Sequence, residues 1–455
     1  MLEQEFTHNL DIEQLQFYLN DPESLEQSRE PNYPDLDYRL GYTVPIIQIR
    51  DNEIAAGNIR RIEIDSYTKI PTISLSLNFE IKHPVANMIL KDREILKTFM
   101  RSSNPNKNHI RTDFYITDIN NNRRGDHVSM LLTGEINIPR LHTSVNTAYR
   151  GTSLDVMRQI AKDLDLGFIT NISSTDDEMV WLSTNQSYLE FIDYVAKHGW
   201  IDDTSFVDWY IDSMYNLVYY EVNKTLKENI VDTRAYFVGV SSNKYREDKP
   251  ESEKSMEWKN IFTDLGNMNT TDHGVQVGSL KLINNSGLSR QGYFVDNILL
   301  DYSDLDTVRF SSEAITNINE GVPLKGNENN LLYKDERRVK FLGIQNDNMH
   351  PNYKYAVIHN HINNIELRKL NVEFDSTDLN MGYIVGDNIL LNITETRLTG
   401  DDAKSFTDRQ DEQIQEPDVY FSNNYKVHGI KYIYKNEQKY CKYLLTRREW
   451  PVIID

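Results

Sequence analysis

Hydrophobic and polar residues alternate strictly along two stretches in the first third of the chain. In TISLSLNFEI, residues 72–81, the apolar positions are Ile73, Leu75, Leu77, Phe79 and Ile81, and the polar positions are Thr72, Ser74, Ser76, Asn78 and Glu80. HVSMLLTGEINIPR, residues 127–140, repeats the pattern. A period of two predicts strands in a sheet with one buried face and one face in water.

Weaker strand patterns lie close to these two stretches. GYTVPIIQI, IRRIEIDSY and TDFYITDI are rich in β-branched and aromatic residues, and DNEIAAGN and DINNNRRGD are turn signals between them. Five strands within about a hundred residues favour a small antiparallel barrel or sandwich. The first forty residues are polar and contain Pro31 and Pro34, which predicts an extended arm.

The hydrophobic period changes to that of a helix in GTSLDVMRQIAKDLDLGF, residues 151–168. At helical spacing, one face contains Leu154, Met157, Ile160, Ala161 and Leu164. Thr152 or Ser153 is predicted to cap the start of this helix, and Gly167 is predicted to supply a left-handed stop.

A second helix is predicted in NQSYLEFIDYVAKHGW, residues 185–200, with the apolar stripe Tyr188, Phe191, Ile192, Val195 and Ala196. Ser187 and Glu190 have the spacing of a capping box, and Gly199 is predicted to end the helix. His198 is either a catalytic residue or a helix-terminal residue favoured by the macrodipole. The second interpretation is preferred, because no nucleophile pairs with His198 in the local sequence.

The remaining sequence favours strands separated by irregular segments. FVDWYIDSMYNLVYYEVNK, residues 206–224, predicts two short strands across a turn near Ser213 to Asn216. Residues 223–275 are charged and irregular, and residues 311–355 are Asn-rich, which predicts an exposed insertion and loops. Strands resume in KLNVEF, MGYIVGDNILLNI, YKVHGIKYIYK and KYCKYLLTRREW.

Charge and cysteine content narrow the function classes. The formal net charge of −20 argues against sequestering nucleic acid, because phosphate binding needs clustered Lys and Arg. The single cysteine, Cys441, excludes an internal disulfide framework and is expected to be a half-buried thiol on a strand. The start, MLEQEFTHNLDIEQLQ, lacks the apolar core of a signal peptide, and no run of apolar residues reaches membrane length. We therefore expect assembly in a cytoplasm, without membrane insertion.

Candidate chemistry is sparse. HNH at His359 to His361 would suit a nuclease only in a zinc-like setting on a basic surface, so polar residues on a loop or strand are the preferred interpretation. The acidic runs at 176–178 and 301–306 lack the Gly and distal Glu of an EF-hand and are expected to be solvated turns. We assign no catalytic, cofactor or metal residues. The residues with an assigned role are structural helix caps: Ser153, Gly167, Ser187, Glu190 and Gly199.

The order of these segments resembles the baseplate hub proteins of contractile-tailed phages, a group that includes the T-even hub, the late-control D proteins and the hub portion of type VI secretion spikes. The resemblance rests on a strand block followed by GTSLDVMRQIAKDLDLGF, MVWLST, NQSYLEFIDYVAKHGW and a short hairpin. The closing segment, which contains Arg447, Arg448 and Trp450, is similar to the closing hairpin of that family. The resemblance covers residues 41–225 and 370–455 and leaves 226–369 unmatched.

The resemblance implies an α+β fold, mainly antiparallel β, with two small tube-type β-barrel domains, a small α/β domain and an irregular insertion. The implied domains are an N-terminal arm (1–40), a first barrel (41–145), a small α/β domain (146–230), a β-rich and loop-rich middle domain (231–365) and a second barrel (366–455).

The implied function is structural and not enzymatic. A homotrimer would present six similar barrels, adapt a trimeric central spike to a hexameric tail tube, and line the DNA channel. The expected partners are the tail tube protein, the central spike protein, the tape measure protein and wedge proteins, within a tail baseplate assembled in the host cytoplasm. An acidic lumen would let DNA pass without specific binding. Two other classes stay open: a host-recognition or adhesion module of a tail, and a cell-wall-degrading enzyme with carboxylates in residues 290–310.

Overall fold

A computed structural model provides the fold. It describes residues 2–10, 45–50, 52–67, 69–83, 85, 90, 93–100, 110–227, 236–238, 259–260, 291–294, 306–309, 339–341, 348–367, 370–376, 383–393, 423–435 and 438–447. Arg448 and Trp450 of the closing segment lie outside these residues.

The first part of the chain is built from strands. They are β1 (Glu3–Phe6), β2 (Ile46–Ile49), β3 (Asn52–Glu53), β4 (Ile59–Asp65), β5 (Thr72–Glu80), β6 (Ile95–Met100), β7 (Ile110–Arg124), β8 (His127–Ile136) and β9 (Ser144–Gly151), with a 3-10 turn at Ala56–Asn58. The strict alternation predicted for residues 72–80 is confirmed, because Ile73, Leu75, Leu77 and Phe79 are buried and the residues between them are not.

A compact α/β part follows. Its elements are α1 (Ser153–Asp163), β10 (Gly167–Thr170), β11 (Met179–Ser187), α2 (Tyr188–His198), β12 (Val207–Ile211), β13 (Asn216–Glu221) and α3 (Val222–Lys227). Four strands form one sheet in the order β1, β10, β13, β12, while β9 and β11 form a separate two-stranded sheet. Both predicted helices and the predicted hairpin of residues 206–224 are confirmed.

The second half contains the remaining elements. They are β14 (Tyr236–Val238), β15 (Lys259–Asn260), β16 (Gln291–Phe294), β17 (Asp306–Arg309), β18 (Val339–Phe341), α4 (Tyr353–Leu367), β19 (Leu370–Ser376), β20 (Asn388–Ile393), β21 (Asn423–Lys435) and β22 (Gln438–Arg447). The strands expected in the C-terminal quarter are confirmed by β19 to β22.

One large sheet joins the two ends of the chain. Within the described residues it has 13 strands, and its central order runs β20, β21, β4, β5, β8, β7, β6, β2. The junction is the antiparallel pairing of β21 with β4, in which Tyr432 lies opposite Ile64 and Tyr434 opposite Ile62. The predicted class, α+β with mainly antiparallel strands, is confirmed.

Two local predictions are wrong. The segment DINNNRRGD is mostly strand and not a turn, because β7 pairs with β8 as far as Arg124 opposite His127, which leaves a two-residue turn at Gly125 and Asp126. Gly125 has a φ of +57°, a conformation that suits glycine at such a turn. Cys441 lies on β22 as expected, but it is fully buried and not half-buried.

Helix α4 was not predicted. The residues around His359 were expected to be polar residues on a loop or strand, yet they form a helix whose buried positions include Ala356, His359, Asn360, Asn363 and Leu367. Its buried face is made largely of amide and imidazole groups, so hydrophobic periodicity gives little signal.

Candidate functional site

One side of strands β5 and β8 is rich in hydroxyl and amide side chains, most of which are half-buried. Along β5 these are Thr72, Ser74, Ser76 and Asn78, and each lies opposite a residue of β8: Glu135, Thr133, Leu131 and Ser129. The ladder continues onto β7, where Asp118, Asn120 and Asn122 lie opposite Thr133, Leu131 and Ser129. We call Thr72, Ser74, Ser76, Asn78, Ser129 and Thr133 the polar face.

The reverse side of the same strands is part of the hydrophobic core. Val128, Met130 and Leu132 of β8 are each about 1% exposed, and they pack with the apolar residues of β5. This core fixes which side chains reach the polar face, because a shift of one residue in register would exchange the two faces. Charged residues border the polar face, since Arg61 and Glu63 of β4 lie opposite Ser76 and Ser74.

The cap of α1 is one of the two residues predicted for it, and the assignment to Ser153 is wrong. The N-cap is Thr152 and not Ser153: the Thr152 hydroxyl accepts a hydrogen bond from the Asp155 amide, and the Asp155 carboxylate accepts one from the Thr152 amide. Gly167 does not supply a left-handed stop, because the left-handed residue is Asp165, with a φ of +57°. Gly167 begins β10, where an added Cβ would lie 2.1 Å from the Asn216 side-chain oxygen, so close packing accounts for the glycine.

Helix α2 begins with a capping box at Ser187 and Glu190. The Ser187 hydroxyl accepts a hydrogen bond from the Glu190 amide at 3.2 Å, and the Glu190 carboxylate accepts one from the Ser187 amide at 2.8 Å. These hydrogen bonds hold the pKa of Glu190 below its usual value. The helix ends at Gly199, whose φ of −64° is not left-handed. An added Cβ there would lie 2.3 Å from the hydroxyl oxygen of Tyr219, which is the physical reason for this glycine.

A buried carboxylate joins the two helices. Asp177 was expected to lie in a solvated acidic turn, and this is wrong, because its side chain is fully buried. It accepts hydrogen bonds from the Ser153 amide and the Trp200 amide, both at 2.8 Å. Asp177 thus connects the start of α1 to the residue after the end of α2. Its neighbours in the acidic run, Asp176 and Glu178, are exposed.

The C-terminus of α2 is covered by α4 and the residues just before it. The Asn360 amide donates to the carbonyl oxygens of Gly199 at 2.8 Å, Lys197 at 3.1 Å and Ala196 at 3.3 Å. It therefore supplies hydrogen bonds to carbonyls that a helix end leaves without partners. We call the contact between residues 348–367 and the end of α2 the helix joint.

Three histidines of the helix joint have described side chains. His198 donates from Nδ1 to the Tyr194 carbonyl at 2.7 Å, His350 donates from Nε2 to the His198 carbonyl at 3.1 Å, and His359 donates from Nε2 to the Ser205 carbonyl at 2.9 Å. His350 and His359 are buried, and His198 is half-buried. Burial lowers the pKa of His198 to about 4 and also lowers the pKa of His350 and His359.

Aromatic rings surround these histidines. The His198 ring stacks on Tyr353 with centroids 4.3 Å apart, and Tyr353 shares a hydrogen bond with Tyr194 at 3.0 Å between their hydroxyl oxygens. His359 packs edge-on against Trp200 with centroids 5.1 Å apart, and His350 lies 6.2 Å from the Trp181 ring. Each side chain of this group has a packing role, and no nucleophile is placed against His198 in the contacts described here.

The structure was also searched for metal sites and membrane-spanning helices. Within the described residues, no group of three or more His, Cys, Asp or Glu side chains is arranged to hold a metal ion. A search of the same part of the chain finds no helix that is long and apolar enough to cross a membrane. Arg447 is fully buried, with its guanidinium 4.8 Å from the Tyr425 ring centroid. The His361 side chain and residues 301–305 lie outside the described part.

The fold was compared with those of solved structures. The chain is similar to the 43 kDa tail protein of prophage MuSo2 from Shewanella oneidensis, with a TM-score of 0.52 and 8% sequence identity, over 90% of this chain and 99% of that one. It is also similar to the tail protein from Neisseria meningitidis MC58, with a TM-score of 0.50 and 8% identity, over 90% and 97% of the two chains. No family model and no curated protein matches the sequence. The resemblance seen in the sequence is confirmed at the level of the fold, which this chain shares with phage tail proteins.

Proposed function

We propose that the chain is a structural hub subunit of a phage-type tail, in which three copies form a ring between a hexameric tail tube and a trimeric central spike. The observation that carries this proposal is a fold shared with a prophage tail protein over nearly the whole length of both chains. Shared length matters here, because the match covers 90% of this chain and 99% of the other.

In the proposed ring each chain supplies two tube-like units. Strands β2 to β8 form the first unit, and β19 to β22 form the second, so that a three-fold assembly carries six units. The pairing of β4 with β21 supports this arrangement, because it places the two groups of strands side by side in one sheet. We propose the same domain limits that were inferred from the sequence.

The polar face lines the DNA channel in this arrangement. Ser, Thr and Asn side chains keep a hydrated surface but add no cations that would bind phosphates. The net charge of −20 acts in the same direction, since a negative field repels the DNA backbone. DNA would therefore pass the ring without stopping in a bound state.

A bridging experiment tests the proposed function. The chain would be co-expressed with the tube protein and the spike protein of the same tail, each carrying a different affinity tag. We expect the tube and spike proteins to co-purify only when this chain is present, with equal numbers of hub and spike chains in the complex. Direct binding of tube to spike without this chain would overturn the adaptor role. Binding to glycans, or cleavage of cell wall, by the isolated chain would favour the adhesion or enzyme class instead.

A further inference from the structure

The helix joint connects distant parts of the sequence through groups that are neutral in the described geometry. A backbone carbonyl can only accept a hydrogen bond, so the ring nitrogen that faces it in each histidine carries the proton. His198, His350 and His359 each use one ring nitrogen in this way. Uptake of a proton would therefore place a new N–H on the other nitrogen of each ring.

The position of His350 leaves that second nitrogen without a suitable partner. Its Nδ1 is buried and makes no hydrogen bond within the described structure. The groups around the ring are Trp181, Tyr353 and the C-terminal end of α2. An imidazolium there would have to bury both a charge and an unsatisfied donor, and each is costly in an apolar setting.

The carboxylates near the joint are occupied elsewhere or lie apart from the rings. The two oxygens of Asp177 near His350 accept from the Ser153 and Trp200 amides, and Asp176 on the same loop is exposed. Near His359, Asp202 accepts from Thr204, and Asp203 is exposed. Near His198, Asp193 pairs with Lys197, which is itself a cation one residue from the histidine.

The other groups of the joint would stabilise a protonated histidine only weakly. His198 and His350 lie close enough to repel each other when both are charged. Tyr194 and Tyr353 are neutral, and burial holds their pKa above the usual value. The Asn360 amide already donates to three carbonyls, and these hydrogen bonds depend on the placement of α4.

We propose that the helix joint is an acid-labile latch: at mildly acidic pH the three histidines take up protons, and residues 348–367 separate reversibly from the end of α2. The inference rests on the geometry of the joint and does not depend on the proposed hub function. It gives the chain two states, one with α4 docked and one with α4 released, in which the strands on either side of this segment are free to change position relative to the α/β part.

The lowered pKa values of the three histidines determine in which direction docking depends on pH. The docked state holds the pKa of these histidines below 6.5, and for His198 at about 4, whereas the released state returns them toward 6.5. Docking is therefore fully stable above about pH 6.5 and loses stability as the pH falls from there toward about 4. His198 has the largest shift of the three, so we expect it to contribute most to the loss of docking stability, with His350 and His359 adding to it.

Hydrogen exchange of the intact chain tests the latch. Amide protection in residues 353–367 would be measured by mass spectrometry between about pH 7.5 and about pH 5, corrected for intrinsic exchange, with return to neutral pH as a reversibility check. We expect the protection of this segment to fall about tenfold or more, while β5 and β8 keep theirs. Unchanged protection of residues 353–367 in the wild-type chain overturns the proposal.

Histidine variants test whether these side chains cause the loss of protection at acidic pH. Asparagine places an amide N–H close to the position of Nδ1 and glutamine places one close to Nε2, and neither side chain titrates. The triple variant His198→Asn, His350→Gln and His359→Gln should therefore keep the joint docked at both pH values. The control is His127→Gln with His142→Gln, because both of these histidines are exposed, and it should behave as the wild type. Loss of protection at acidic pH that is the same in all three chains would also overturn the proposal. If the triple variant is not folded at neutral pH, the tryptophan fluorescence of the wild type decides, because Trp181 and Trp200 lie at the joint. A reversible transition between about pH 6.5 and about pH 4 is expected, and its absence overturns the proposal.

Discussion

The side-chain amide of Asn360 donates a hydrogen bond to the carbonyl oxygen of Gly199, 161 positions earlier in the chain, at 2.8 Å. A helix end leaves its last four carbonyls without partners inside the helix, and most are satisfied by water or by nearby backbone. Here one buried asparagine of a distant helix satisfies several of them. The stability of the α/β part therefore depends on a segment far from it in sequence.

Replacing Asn360 by alanine should destabilise the chain by about 1–3 kcal/mol, because the carbonyls of Gly199 and Lys197 lose a donor in a buried place. The measurement is the midpoint of urea unfolding followed by tryptophan fluorescence. Asn122→Ala is the matched control, since Asn122 is exposed on β7. Equal midpoints for the two variants would show that Asn360 has no capping role.

Asp177→Asn should cost about 2 kcal/mol, because one carboxylate oxygen that accepts from a backbone amide is replaced by an NH₂ group that cannot accept. The neighbouring Asp176→Asn removes the same charge at an exposed site and should be close to neutral. Calorimetric unfolding of both variants gives the comparison. If both lose the same stability, the charge and not the two hydrogen bonds of Asp177 is responsible.

Gly199→Ala should destabilise the chain by about 1–3 kcal/mol, because the new Cβ meets the Tyr219 hydroxyl and this buried ring has no room to retreat. Tyr219→Phe removes that hydroxyl, so the double variant should recover part of the loss relative to the sum of the single variants. Gly57→Ala serves as the control, since no atom lies within 4 Å of a Cβ at that position. Strict additivity of Gly199→Ala and Tyr219→Phe would contradict the steric explanation.

Lysines on the polar face should turn the proposed channel into a DNA-binding surface. We expect the ring formed by a variant with Ser74→Lys, Ser76→Lys and Ser129→Lys to retain double-stranded DNA at low salt, with a steep loss of binding as salt rises. Ala148→Lys, Leu182→Lys and Thr184→Lys add the same charge to exposed positions of the β9–β11 sheet. Fluorescence anisotropy of labelled DNA, with the wild-type ring as reference, distinguishes the two. Equal retention by both variants would mean that the polar face does not line the channel.

The parts of the fold that follow from local patterns were predictable from the sequence. Residues 72–80 alternate without interruption, and helices α1 and α2 carry apolar stripes with polar caps at the correct end. In each of these segments the local preference and the tertiary environment agree, so a single sequence is enough. The choice of Thr152 over Ser153 as N-cap needed the coordinates, because both side chains can accept the hydrogen bond.

The helix joint could not be predicted, because its partners are distant in sequence and its buried face is polar. His359 and Asn360 look like surface residues by composition, and they are buried since Ser205, Gly199 and Trp200 supply partners from another part of the chain. The prediction that Asp177 is solvated failed for the same reason. An acidic run normally predicts contact with water, and the buried amides that bind Asp177 come from other parts of the chain. The inner face of α4 carries amide and imidazole groups at helical spacing, and this spacing is a signal of the helix that the sequence does contain.

The central claim is that three copies of this chain close into a ring. Mass photometry and negative-stain electron microscopy of the purified chain, alone and co-expressed with its spike protein, test that claim most directly. We predict a mass of three chains and a three-fold ring with a central opening, in at least the spike-containing sample. A chain that remains monomeric in both samples would contradict the account.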